Sequence, residues 1–183
     1  MFPLVVDLTD RPVVVIGAGA VGVQKARQLL ESGARVTIIS DAVLAPLPAG
    51  IERVLARPYR YGDLAGAFLA VAATGQGVVN DAIVFEASER HLWLNVVDDL
   101  ARSNFFFTAV HRDGELIVSV STGGSSPALA QWVRDAIKKA LPPNLGGVAR
   151  QLSRERRAIH ASGDSTEGRP WMARVRELID QAD

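Results

Sequence analysis

Val13-Val14-Val15-Ile16-Gly17-Ala18-Gly19-Ala20-Val21-Gly22 is a buried-strand run that turns directly into a glycine-rich loop. Nineteen residues past Gly22, a second apolar run, Arg35-Val36-Thr37-Ile38-Ile39-Ser40, ends at Asp41. This spacing is what a chain needs to hold the pyrophosphate of a dinucleotide. Gly17 permits the tight turn, Gly19 lets the backbone come close to the phosphates, and Gly22 lets the following helix pack on the strand. That helix, expected over Val21–Ser32, points its positive N-terminus at the anion. A strand-to-helix turn with no ligand is the plainer alternative. The position of the loop between strand and helix, with an acidic residue at the right interval, favours the dinucleotide.

Working outward, strands alternate with helices up to about Val110, the pattern of a parallel sheet covered on both faces. Strands are expected over Val13–Gly17, Arg35–Ser40, Glu52–Ala56, Ala67–Ala72 and Trp93–Val97. Several are continuously apolar, as doubly buried strands should be. A second helix is expected over Val78–Arg90, starting near Asn80 and Asp81. Beyond this the character changes. Phe105–His111 and Glu115–Ser121 flank Arg112-Asp113-Gly114, a hairpin signal, and so apolar a hairpin needs a surface to pack on, a second subunit being a good candidate. Ser126 reads as the N-cap and Pro127 as the first residue of a helix that Pro142-Pro143 stops near Leu141. Leu145–Ala161 and Pro170–Ala182 read as helices in a charged tail. The expected architecture is α/β: a Rossmann-like domain over 1–110, a dimerisation and substrate-loop region over 111–143, and a small helical domain over 144–183.

Composition excludes several classes of function. The 183 residues carry 20 Lys plus Arg against 20 Asp plus Glu, so no global field recruits nucleic acid or a membrane. There is no cysteine, which removes disulfides and thiolate chemistry and fits a cytoplasmic protein. No apolar run reaches the about 18 residues a spanning helix requires, and Met1–Asp7 does not read as a signal peptide. His91, His111 and His160 are scattered, with no paired spacing for a preformed metal site.

The motifs in series are Pro3-Leu4-Val5-Val6-Asp7, the glycine loop, Lys25-Ala26-Arg27, Ala72-Ala73-Thr74, Asn95-Val96-Val97-Asp98-Asp99, Phe105-Phe106-Phe107 and Ser121-Thr122-Gly123-Gly124-Ser125-Ser126-Pro127. In that order the chain resembles the precorrin-2 dehydrogenase module of siroheme synthesis, in its stand-alone form, over about Pro3 to Leu141. The resemblance implies a homodimer that uses NAD+ to oxidise precorrin-2, a carboxylate-rich tetrapyrrole, to sirohydrochlorin. Some members also insert iron; here the tetrapyrrole would supply most of the ligands, with Asp98 or His111 assisting proton removal. Asp98 matches the family's key aspartate, and its place beyond an apolar strand suits a base or an electrostatic partner for the ring; capping the next turn is the plain alternative. Asp99 is the weaker candidate.

The candidate cofactor-binding set is Gly17, Gly19, Ala20, Val21, Gly22, Asp41, Ala42 and Thr74. Asp41 would bond the adenosine ribose and favour NAD over NADP. Ser121, Thr122, Ser125 and Ser126, at a helix N-terminus, would hold substrate carboxylates, with Arg102 or Arg134 adding charge-assisted contacts; a capped connecting loop is the alternative. The chain departs from the family at Gly22 (commonly alanine), Asp41, Gly75-Gln76 (commonly acidic) and Thr108 (commonly proline). Two other readings stand beside this one: an NAD(H)-sensing regulatory module, and a dehydrogenase of another small acid. The first lacks a helix-turn-helix or a basic stripe, and the second a histidine or lysine acid/base in a substrate domain.

Overall fold

β1 (Pro12–Ala18) is the centre of the molecule's main sheet, because four of its residues in a row, Val13 to Ile16, are buried on alternate faces. β2 (Arg35–Val43) and β4 (Leu69–Ala72) pair with it on either side, and β3 (Arg53–Ala56) and β5 (Trp93–Val96) complete the edges. All pairings are parallel, in the order β3-β2-β1-β4-β5. The structure, a computed structural model, describes residues 1–181.

Helices supply the two faces. α1 (Ala20–Leu30) buries Gly22, Val23, Ala26 and Leu29 against β1, β2 and β4. α2 (Gly77–Glu89) brings Ile83 and Ala87 onto a cluster with Val14, Ile16, Ile39, Ala70, Leu94 and Val96. Each fully buried Val or Ile side chain contributes about 1.5–3 kcal/mol by leaving water. The expected α2 start near Asn80 and Asp81 is corrected to Gly77, with Gln76 at the cap. The reason is Thr74: its Oγ1 accepts from Gln76 N at 3.0 Å and donates to Asn80 Oδ1 at 2.7 Å, so Asn80 sits buried inside the helix.

The chain divides into two compact units, Met1–Phe106 and a second from Phe107 onward. In the second, β6 (Ala109–Asp113) and β7 (Leu116–Val120) form an antiparallel hairpin on which α3 (Pro127–Ala140) packs. Asp113 pairs with Leu116, so the turn is Gly114-Glu115 with Gly114 at φ 55°, one residue later than expected. The strand expected from Phe105 begins instead at Ala109. Phe105, within the first unit, is used against β5: its carbonyl accepts from Asn95 Nδ2 at 3.1 Å and its ring meets Trp93 at 6.4 Å. α4 (Leu145–Ala161) touches β7, and α5 (Trp171–Asp180) is tied to it by Arg174 Nη2 on Glu155 Oε1 at 2.6 Å. Ala182, the last residue of the expected final helix, lies outside the described residues.

Candidate functional site: a dinucleotide cleft at the carboxyl edge of the sheet

In an open parallel sheet, ligands sit beyond the carboxyl ends of the strands, where the order reverses. Here that reversal is at β1, flanked by β2 and β4. Gly17, at φ 101°, makes the turn out of β1; a Cβ there would lie 2.3 Å from the Ala73 carbonyl oxygen that follows β4. Gly22 lies under the same turn, and its own Cβ would meet Gly17 O at 2.0 Å. Gly19 differs from both: nothing stands within 4 Å of the position its Cβ would take. Gly19 is the N-cap of α1, whose first turn has neither a side-chain cap nor an acidic residue. The N–H groups of Ala20, Val21 and Gly22 therefore have no intrahelical acceptor, and with the open space over Gly19 they fit a diphosphate.

A cleft of about 200 Å³ opens over this loop, and Gly17, Gly19, Asp41, Ala42 and Thr74 of the expected set line it. Ala20, Val21 and Gly22 lie in the helix behind it. Asp41 belongs to β2 itself, where the ladder to β1 shifts register between Ile16 and Ala18. Such a bulge re-aims side chains. Ser40 fixes it, accepting from Ala18 N at 3.1 Å and donating to Ala42 O at 2.7 Å. The Asp41 carboxylate on this wall is suited to the ribose hydroxyls and opposes a 2′-phosphate.

Asp98 follows β5 in the left-handed region, φ 60°, a strained backbone for a non-glycine residue. It does not line the cleft, and its electrostatic neighbour is Lys25 of α1. Burial lowers the Lys25 ammonium's pKa, and the Asp98 charge works against that lowering. Asp99 is committed elsewhere: it accepts from Arg102 Nε at 2.6 Å and N at 3.1 Å, which hold its carboxyl below the usual carboxylate range. Arg102 also bonds Asp81, and Arg134 pairs with Asp135, so neither expected arginine is an unpaired cation.

In the second unit, most of the serine-loop hydroxyls are used locally. Ser126 Oγ accepts from Leu129 N at 3.2 Å, Thr122 Oγ1 bridges Ser126 N and O at 3.0 Å each, and Ser121 Oγ accepts from Gly123 N at 3.1 Å. Ser125 is the exposed member without such a bond. Among the described residues, no group of three or more His, Asp and Glu is arranged to hold a metal ion, and no helix is long and apolar enough to cross a membrane.

The sequence reading missed Ser40, Lys25 as a neighbour of Asp98, and the pair Tyr59–Glu86. Tyr59 lines the cleft beside Pro58, and its hydroxyl donates to Glu86, a glutamate of α2 with no exposed surface. A visible signal existed: Glu86 falls on the buried stripe Ile83, Glu86, Ala87, where a charge requires partners.

Residues 4–109 match the family model described as putative NAD(P)-binding, more than half of the chain. The chain belongs to that family. Residues 113–140 match a second model, sirohaem biosynthesis protein central, in the order the sequence motifs led us to expect. The chain is 38% identical to siroheme synthase 1 of Pectobacterium atrosepticum over 151 residues, which are 80% of this chain and 32% of that protein. Siroheme synthase 1 of Aeromonas salmonicida is 37% identical over the same shares. The chain thus spans about a third of the length of these curated relatives. In fold it is similar to SirC, precorrin-2 dehydrogenase, with a TM-score of 0.72 at 23% identity, covering 99% of this chain and 88% of that one. The expected parallel sheet, hairpin and helices are all found in the described residues.

Proposed function

We propose that this chain binds NAD+ and oxidises precorrin-2 to sirohydrochlorin, a reading supported by its likeness in fold to a precorrin-2 dehydrogenase and its similarity to siroheme synthases. The observations that support the reading are the glycine turn out of β1, the cleft over it lined by Asp41 and, beyond β5, a strained Asp98. NAD+, when bound, accepts the hydride. The chain's own work is to hold the diphosphate on the first turn of α1, to discriminate at Asp41, and to receive at the Asp98 carboxylate the proton that leaves with the hydride. Lys25 of α1 is the electrostatic neighbour of that carboxylate. Thr74, whose hydroxyl ties Gln76 N to the Asn80 side chain, shapes the cleft wall.

We assign substrate carboxylates to the Ser121–Ser126 loop, with the exposed Ser125 hydroxyl and Ala128 N–H, the amide of the first turn of α3 left over by Pro127 and the Leu129 cap, as donors. The region 111–143 is taken as the dimerisation and substrate-loop domain between 1–110 and 144–183; the exposed Ile117, Leu129 and Trp132 support its pairing with a second copy. The absence of cysteine supports a cytoplasmic setting.

The test supplies fresh precorrin-2 anaerobically, with and without NAD+, and follows sirohydrochlorin by absorbance. We expect NAD+-dependent conversion that falls at least about a hundredfold in Asp98→Asn, with NAD+ affinity unchanged. Conversion unaffected by that substitution removes the role of Asp98. No conversion by protein that binds NAD+ overturns the dehydrogenase and favours a nucleotide-sensing module.

A further inference from the structure

The carboxylate of Glu86 is fully buried, yet four donors converge on it: Tyr59 Oη, Gly62 N at 2.9 Å, Leu64 N at 3.2 Å and Arg90 Nε at 2.7 Å. Burial alone would raise its pKa; the hydrogen bonds outweigh burial and hold the group ionised. Three of the four donors are residues 59, 62 and 64, the segment that follows β3. The same segment is closed on itself by Arg57, which grips Asp63 with two bonds of 2.8 and 2.7 Å, and by Arg60 N on Asp63 Oδ2 at 2.8 Å. A loop tied this often is rigid, and the part it presents to the cleft is Pro58-Tyr59.

The location of that part is informative. The acidic residue at the end of β2 marks the adenosine ribose in a dinucleotide fold, so the base lies farther toward β3. On this side the cleft is lined by Leu44, Pro58, Tyr59 and Val79, an apolar set around one aromatic ring. A purine is a flat π-system whose faces pack on aromatic rings and whose binding gains from a preorganised partner. We propose that Tyr59 is the adenine-contacting wall of the nucleotide cleft, and that Glu86, which itself touches no ligand, is the positioning residue that holds its ring in place. Burial, followed by the Glu86 hydrogen bond, pushes the Tyr59 phenol well above the ordinary tyrosine value, so the hydroxyl remains a donor throughout the working pH range. The inference rests on the dinucleotide reading and goes beyond it in assigning the base end of the site to a tyrosine and a buried carboxylate on different elements.

The test measures NAD+ and AMP binding to the whole protein by calorimetry, with circular dichroism to check folding. Tyr59→Ala should weaken both ligands by the same factor, about tenfold, because the lost contact is to the base they share. Tyr59→Phe keeps the ring but unties it, and should weaken both about threefold, read for NAD+ in turnover as a rise in KM. Glu86→Gln should act in the same direction, and the double variant Tyr59→Phe/Glu86→Gln should lose no more than the weaker-binding single one, as expected when one residue acts through the other. Wild-type AMP affinity in Tyr59→Ala, or NAD+ losses without matching AMP losses, overturns the assignment of Tyr59. Additive losses in the double variant overturn the positioning role of Glu86, and Tyr59→Phe tests the tether even where Glu86→Gln fails to fold. Wild-type protein that binds neither ligand overturns the dinucleotide reading, and this inference with it.

Discussion

Gly22→Ala is the sharpest test of the loop geometry, because the same change is expected to be harmless in relatives that commonly carry alanine there. Two effects oppose each other. Alanine inside α1 gains about 1 kcal/mol of helix propensity over glycine. Against this, its Cβ would lie 2.0 Å from Gly17 O and 3.0 Å from Gly17 C, both backbone atoms that no rotamer change can move aside. Gly17 has little room to retreat, since its own Cβ position is 2.3 Å from Ala73 O on the next strand's loop. Overpacking of this kind costs about 1–3 kcal/mol, and the contact here is at the severe end. The clash therefore wins: a net destabilisation of about 1–2 kcal/mol, together with a roughly tenfold weaker NAD+ affinity as the turn lifts into the phosphate position. Urea unfolding followed by circular dichroism reads the first, calorimetry the second. A variant as stable as the parent, with unchanged NAD+ affinity, would refute the claim that this turn is pressed against α1.

Two further outcomes are expected. Glu86 and Asp63 both have carboxyls held below their ordinary values, Glu86 by hydrogen bonds that outweigh its burial and Asp63 chiefly by Arg57. A carboxyl lowered in the folded state contributes stability above its unfolded value, 4.5 for Glu86, and loses it as pH falls toward the folded one. Unfolding free energy should therefore decline steeply below about pH 5, and Glu86→Gln should flatten that decline; an unchanged slope would discount the network. Ser126→Ala removes the side-chain acceptor for Leu129 N and should cost about 1 kcal/mol in denaturant unfolding, whereas no cost would mean the α3 cap is idle.

Much of the first unit was legible because its strands are runs of Val, Ile, Leu and Ala buried on both faces, and because the glycines have local reasons to be glycine. The errors share one cause. The start of α2 was placed too late because Asn80 is buried inside the helix, bonded to a Thr74 hydroxyl two residues before the N-cap Gln76, an arrangement that leaves no periodic trace. The hairpin turn shifted by one because Gly114, rather than the Asp113-Gly114 pair, occupies the turn with positive φ. Tyr59 and Glu86 meet across 27 residues of chain, and Lys25 and Asp98 interact across the four strands β2 to β5; no window along the sequence contains either pair. Asp41 was found by interval alone, while the bulge pinned by Ser40, which decides how it is presented, was not visible.

The cleft draws its wall from the ends of β1, β2, β3 and β4, and Gly17 lies directly against the Ala73 carbonyl that follows β4. No fragment ending before β4 contains this surface, so the nucleotide has nothing to recognise until the first four strands have paired. Binding is then linked to folding of this unit: at a hundred times its dissociation constant the nucleotide adds about 2.7 kcal/mol to stability. During synthesis the ribosome must release the chain past α2 before the cofactor can act as a brake on unfolding. A cell rich in the dinucleotide would hold more of this chain folded than one depleted of it.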